Sequence, residues 1–169
     1  MTSGSEVLRA IFDHHVWATL TLLGSLEALD EEHLSATIGG TYGSMPQTMT
    51  HLVDADGRYL RRFDAPSLPS EPGHGVSPLP ELARRMREHA TKWTATLDRL
   101  EAGTLDSQVR DHAEYPDTDH AEGMLLVQAI QHGEEHRQQV CSTLGALGLD
   151  VPDLSGWDYW IAVGRATTV

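Results

Sequence analysis

The feature that most constrains this chain is a set of four long stretches whose apolar side chains recur at the spacing of one helix face. Each stretch is framed by residues that start or stop helices. The first opens on Ser3-Gly4-Ser5-Glu6, a capping box in which Ser3 accepts from the third helical N–H and Glu6 reaches back. Its stripe runs Leu8, Ile11, Phe12, His15, Thr19, Leu22, Leu26, Leu29, and Asp30-Glu31-Glu32-His33 with Gly39-Gly40 closes it. The second opens on Ser44-Met45-Pro46-Gln47, with proline in the first turn where its missing N–H costs nothing. It carries Met45, Met49, Leu52, Ala55, Tyr59 and Phe63. Ser77-Pro78 begins a third, through Leu82, Met86, His89 or Ala90, Trp93, Leu97 and Leu100 to Gly103. Asp119-His120-Ala121-Glu122 begins a fourth, through Leu125, Ala129, His132, His136, Val140, Thr143 and Leu147, ended by Gly145, Gly148 and Pro152.

Amphipathic helices with little strand between them bury their stripes against one another, so the chain is expected to be all-α, a four-helix bundle. The stretch from Asp64 to Pro80 is rich in proline and long for a connection inside a compact domain, which permits a crossover between the second and third helices. Val109 to Tyr115 alternates weakly and suggests a short strand before Pro116. Trp157-Asp158-Tyr159-Trp160-Ile161 suggests a short C-terminal helix packed back on the body. The 169 residues are expected to form one domain, 1–169, with enough chain for a core without disulfides.

Charge narrows the function classes. The formal net charge is -13, which repels phosphate backbones, and the Arg58, Arg61, Arg62 and Arg84, Arg85, Arg87 triplets read as solvated helix faces. Nucleic acid is therefore not expected as a partner. A membrane is not expected either, because no apolar run approaches the ~20 residues of a bilayer span. The opening residues lack a basic segment followed by an apolar one, and Cys141 is the only cysteine; both favour the reducing cytoplasm.

Histidine is the residue that suggests chemistry. His132 and His136 are four apart, so a helix sets both imidazoles on one face, where they can share a metal ion. Ten histidines in 169 residues give about 0.6 such pairs by chance, so spacing alone is weak. Two further observations raise it. The apolar stripe of the fourth helix passes through both positions, and buried imidazoles cost desolvation unless they find partners. The second helix offers His51 beside its own stripe, and a histidine from a facing helix would complete a three-nitrogen site inside the bundle. The alternative is that these are core histidines hydrogen-bonded to carbonyls or to neighbouring Gln and Ser groups. A zinc-protease site is not expected: that motif needs Glu directly after the first His, and Gly133 stands there, with Glu134 and Glu135 following.

Three segments together resemble the DinB/YfiT-like superfamily of four-helix-bundle metalloproteins, which includes mycothiol- and bacillithiol-dependent enzymes. Phe12-Asp13-His14-His15-Val16-Trp17-Ala18 is similar to its aromatic-x-x-Trp-Ala opening. Tyr42 to Leu52 is similar to its Gly-Ser cap leading to a metal histidine. His132-Gly133-Glu134-Glu135-His136-Arg137-Gln138-Gln139, with Leu147-Gly148 and Pro152, is similar to its HxxxH-R-x-Q helix and final turn. The resemblance implies that His51, His132 and His136 bind a divalent metal ion, with a low-molecular-weight thiol as cosubstrate; imidazole nitrogens suit zinc or nickel, and also iron or copper. It implies a metal-dependent thiol transferase or isomerase acting on a small molecule, and a homodimer. The alternative is a non-catalytic metal- or small-molecule-binding bundle. Three neutral imidazoles leave the ion its full charge and an open position, the arrangement of catalytic sites.

Other residues have plainer expectations. His15 is read as a hydrogen-bonded core histidine, Trp17, Trp93 and Tyr59 as packing, and Cys141 as a buried thiol. His33, His74, His112 and His120 are read as exposed. Arg137 either orients an anionic substrate or pairs with Glu134 or Glu135, and Trp157, Tyr159 and Trp160 wall a site or a dimer contact.

Overall fold

A computed structural model of the chain describes residues 3–64, 75–103, 108–110 and 119–166. Its elements are α1 (Gly4–Leu26), α2 (Glu31–Ser35), α3 (Met45–Asp64), α4 (Leu79–Glu101), β1 (Gln108–Arg110), β2 (Asp119–Ala121), α5 (Glu122–Ala146) and α6 (Gly156–Ala162). The fold is all-α, as the periodicity predicts: the described residues form four long helices, two short ones and a two-stranded ribbon.

Local chemistry sets most helix starts. Ser3 and Glu6 cap α1 reciprocally, and Ser44 with Gln47 does the same for α3, the Ser44 N–H donating to Gln47 Oε1 at 2.8 Å. Leu29 does not continue α1; Asp30 instead caps the separate five-residue α2. The expected cap at Asp119 is also corrected. Asp119 belongs to β2, which pairs with β1 in antiparallel register, and α5 begins at Glu122 after Ala121 without a side-chain cap. The expected strand is found at Val109 and Arg110, while residues 111–118 lie outside the described residues. Most of the connection before α4 does too; at its end the Ser77 N–H donates to Thr50 Oγ1 at 3.1 Å and Pro78 precedes the helix.

α1 packs against α4 and α5, and α3 against the same two, so α1 and α3 face each other across one diagonal. Two apolar clusters stack along the bundle. One holds Leu22 and Leu26 of α1, Met45 and Met49 of α3, Leu82 and Met86 of α4, and Val140 and Leu144 of α5. The other holds Phe12, Tyr59, Phe63, Trp93, Leu97, Leu125 and Ala129. The first cluster thus takes the end of α1, the starts of α3 and α4, and the end of α5, giving an up-down-down-up order. α3 and α4 run the same way, which requires the crossover that the long connection permits. α6 lies on α1, with Tyr159 against Trp17 at 5.4 Å between ring centroids and against His14 at 5.6 Å.

Between the two clusters lies a buried polar layer to which every long helix contributes. Asp56 of α3, 2% exposed, accepts from His15 Nε2 at 3.2 Å and from the Trp93 indole N–H at 2.9 Å. Arg137 of α5, 1% exposed, donates to His15 Nδ1 at 2.9 Å and to Thr19 Oγ1 at 3.2 Å, while its other nitrogen donates to Glu134 Oε2 at 2.9 Å. Because the guanidinium only donates, Nδ1 of His15 accepts, and the ring proton sits on Nε2, facing the carboxylate. Burial pushes the Asp56 carboxyl up, but interaction with His15, then with His89, outweighs it and holds the group below the usual carboxylate range. His15 lies so close to α5 that a Cβ on Gly133 would meet its Cε1 at 2.3 Å and Nδ1 at 2.7 Å.

Gly133→Ala is therefore expected to destabilise the fold by about 1–3 kcal/mol through overpacking, against its gain in helix propensity. In a His15→Ala background the same change loses this clash cost. Equal costs in both backgrounds, measured by urea unfolding, would refute the steric account. Acid supplies a second check. A carboxylate with a lowered folded pKa stabilises the fold above its unfolded value near ~3.9, and that contribution is lost as pH falls from there towards the folded value. The unfolding free energy should drop through this acid window, and Asp56→Asn should flatten the drop.

Candidate metal centre

α3 and α5 run antiparallel, and their seam brings together the three histidines that the spacing singles out. His51, His132 and His136 each offer a ring nitrogen, and these atoms lie within 4.8 Å of one another. Nε2 of His51 and Nε2 of His132 are 3.0 Å apart, and the ring centroids of His132 and His136 are 4.4 Å apart. The two-turn distance from the α3 cap to His51 and the one-turn step from His132 to His136 produce this convergence.

The surroundings orient the rings and act on their protonation. The Tyr42 N–H donates to Gln139 Oε1 at 2.9 Å, which identifies that atom as the carbonyl oxygen of the amide. The same oxygen lies 3.2 Å from His136 Nδ1, so Nδ1 carries a proton and donates to it, which orients the ring. The Tyr42 ring stacks on His51 at 4.1 Å with 21° between the planes. Tyr59 meets the His132 ring edge-on at 6.0 Å. Burial, then the neighbouring His136 and His51, pushes His132 down to about 4. His51 is lowered by burial, then by His136 and Arg58. Both rings are therefore neutral near pH 7, the state a metal ion requires. Three clustered imidazoles are a donor set that could hold a metal ion.

The DinB family model matches residues 2–163. The chain belongs to the DinB family. Comparison with curated proteins finds no significant match. A DinB chain with three nearby histidines could hold a metal ion at this seam.

The remaining expectations divide. His15 is a hydrogen-bonded core histidine, as expected, in the layer beside this DinB site rather than in it. Arg137 pairs with Glu134 but is buried, which removes it as a substrate-orienting group. Glu135 is engaged with Gln131 on the exposed side, so neither following carboxylate joins the histidines. Cys141 is only half-buried; it packs on the first cluster, and burial, then Glu134, pushes its thiol up. Tyr159 packs on α1, and Trp157 and Trp160 pair at 5.6 Å with both faces exposed; no described contact of α6 reaches the histidines. His33 is half-buried beside Asp30, while His74 and His112, and the His120 side chain, fall outside the described residues. Sequence reasoning placed Gln139 and Tyr42 in the segments that carry the resemblance but gave neither a role at the site. Gln139 stands three residues after His136, on the same helix face, and that spacing could have found it; Tyr42 sits in a turn where no periodicity applies.

Gln139→Leu removes the acceptor that fixes His136. The expected outcome is a zinc affinity weakened about 10–100-fold with helix content unchanged, read by competition with a chromophoric chelator. Unchanged affinity would show that Gln139 does not orient the ring.

Proposed function

We propose that this DinB protein is a divalent-metal-dependent enzyme of the thiol transferase or isomerase class. His51, His132 and His136 hold the ion, and a low-molecular-weight thiol, or water, is the nucleophile. The observation that carries this reading is the convergence of three imidazole ring nitrogens within 4.8 Å, one ring being oriented by a second hydrogen bond. An ion with three neutral nitrogen ligands lowers the pKa of a thiol or water that joins it and so supplies a nucleophile at neutral pH.

The chain's own groups favour thiol over water. No carboxylate among the described residues belongs to the histidine cluster. A thiol, with an ordinary pKa near ~8.5, needs far less help to ionise than water at ~15.7. Gln139 holds His136 in place, Tyr42 covers one face of His51, and the polar cleft beside His51 admits a small substrate. The same reading takes the protein as a cytoplasmic homodimer without nucleic-acid or membrane partners. Among the described residues no helix is long and apolar enough to cross a membrane.

Metal analysis should find about one divalent ion per chain, lost on His132→Ala. Thiol consumption with epoxides, halogenated aromatics or maleyl compounds should fall to background in His51→Ala. Turnover unchanged by that substitution would remove the metal from the mechanism. Metal without turnover of any thiol–electrophile pair would leave a non-catalytic metal- or small-molecule-binding bundle.

A further inference from the structure

The cleft beside the histidines has a composition that selects a ligand. Arg58 follows His51 and Asp54 at seven and four residues along α3, which places all three on one side of the helix. They line a cleft of about 510 Å3 with Tyr42, Gln47 and Thr50. The Gln47 carbonyl is committed to the Ser44 N–H at 2.8 Å, so that amide has its NH2 group left to offer. Thr50 Oγ1 accepts from the Ser77 N–H at 3.1 Å and keeps its O–H as a donor. The carboxylate on this wall, Asp54, is taken by Arg85 at 2.5 Å. Arg58 adds a guanidinium with five N–H donors in a fork, enough to engage an anion alongside another group. Among the described residues the cleft thus presents donors and one held carboxylate, which suits a ligand rich in acceptors.

We infer that the cleft binds a small carboxylate-bearing molecule, its anionic end on Arg58 and its reacting end at the three histidines. Seven residues of helix separate Arg58 from His51, a rise of about 10 Å, so the two ends are spaced by a short chain rather than by a single bond. This role falls to Arg58 because it lines the cleft with His51, whereas Arg137, next to His136 in sequence, is sealed in the core. The inference rests on the histidines forming a metal centre, and the test keeps the two apart.

Zinc-supplemented protein is titrated calorimetrically with 6-mercaptohexanoate, with 6-mercaptohexanol of the same length, and with the thiol-free dicarboxylate adipate. The expected result is that the acid thiol binds about tenfold or more tightly than the alcohol, the effect of one charge-assisted contact. Adipate should compete with it. In Arg58→Gln, acid and alcohol should bind alike and adipate should fail to compete, while zinc content stays as in the unaltered protein. Arg58→Lys should restore part of the preference. Equal binding of acid and alcohol by the unaltered protein would overturn the carboxylate site and leave a thiol-binding metal centre standing. Arg58-dependent binding of adipate without binding of either thiol would support the carboxylate site and count against thiol chemistry. A preference that survives Arg58→Gln would overturn the assignment of Arg58.

Discussion

The bundle depends on the polar layer centred on Asp56. Apolar clusters on either side of it could tolerate helices sliding along one another, since burial is non-directional. The layer cannot. A one-turn slip moves a residue by ~5.4 Å, which would part Asp56 from both His15 and the Trp93 indole. Each orphaned partner would then be a polar group in an apolar interior, at a cost of roughly 1–3 kcal/mol, more for a charge. The layer need not stabilise the fold relative to an apolar one; buried ion pairs often do not. What it contributes here is discrimination between registers.

That discrimination extends to the site because α5 serves both. Along one stretch of helix, His132 and His136 turn to α3, whereas Gly133 and Arg137, one residue on and so about 100° around, turn to α1. Gly133 lets His15 approach the α5 backbone, and Arg137 donates to that same ring. Fixing the second face fixes the rotation and height of the first. On α3 the same coupling holds: Asp56 lies five residues after His51, about 7.5 Å along the axis. The convergence of the three imidazoles is thus set by groups that never touch a ligand, and Gln139 and Tyr42 complete what the layer begins.

The sequence showed much of this and concealed the rest for identifiable reasons. The stripes through Met49 and Leu52 or through Ala129 and Val140 announce helices because burial has a period, and Ser44-Met45-Pro46-Gln47 announces a boundary because capping has a fixed spacing. His132 and His136 are legible because both lie on one helix. His51 needed the facing helix to be placed beside them, which no local pattern encodes. Asp119 misled because an acidic residue before a helix has the same local pattern whether it caps or pairs in a ribbon. Asp56 was hidden beside Ala55: an acid next to an apolar stripe reads as solvated, and only the arrival of His15 and Trp93 from two other helices makes burial affordable. Of the two readings of Arg137, orienting a substrate or pairing with Glu134 or Glu135, the pairing is the one found, because the packing of α1 on α5 buries the side chain.

The net charge of -13 bears differently on large and small anions. A nucleic acid meets many surface charges at once, so the sum over the chain governs it. A small carboxylate inside the cleft meets few. Charges beyond about 8 Å are screened by physiological salt, and the acidic surface slows the approach more than it weakens the bound state. Affinity is then decided by the groups within reach, Arg58 and the neutral donors of Gln47 and Thr50. An acidic chain and the proposed anion-accepting cleft are compatible for this reason.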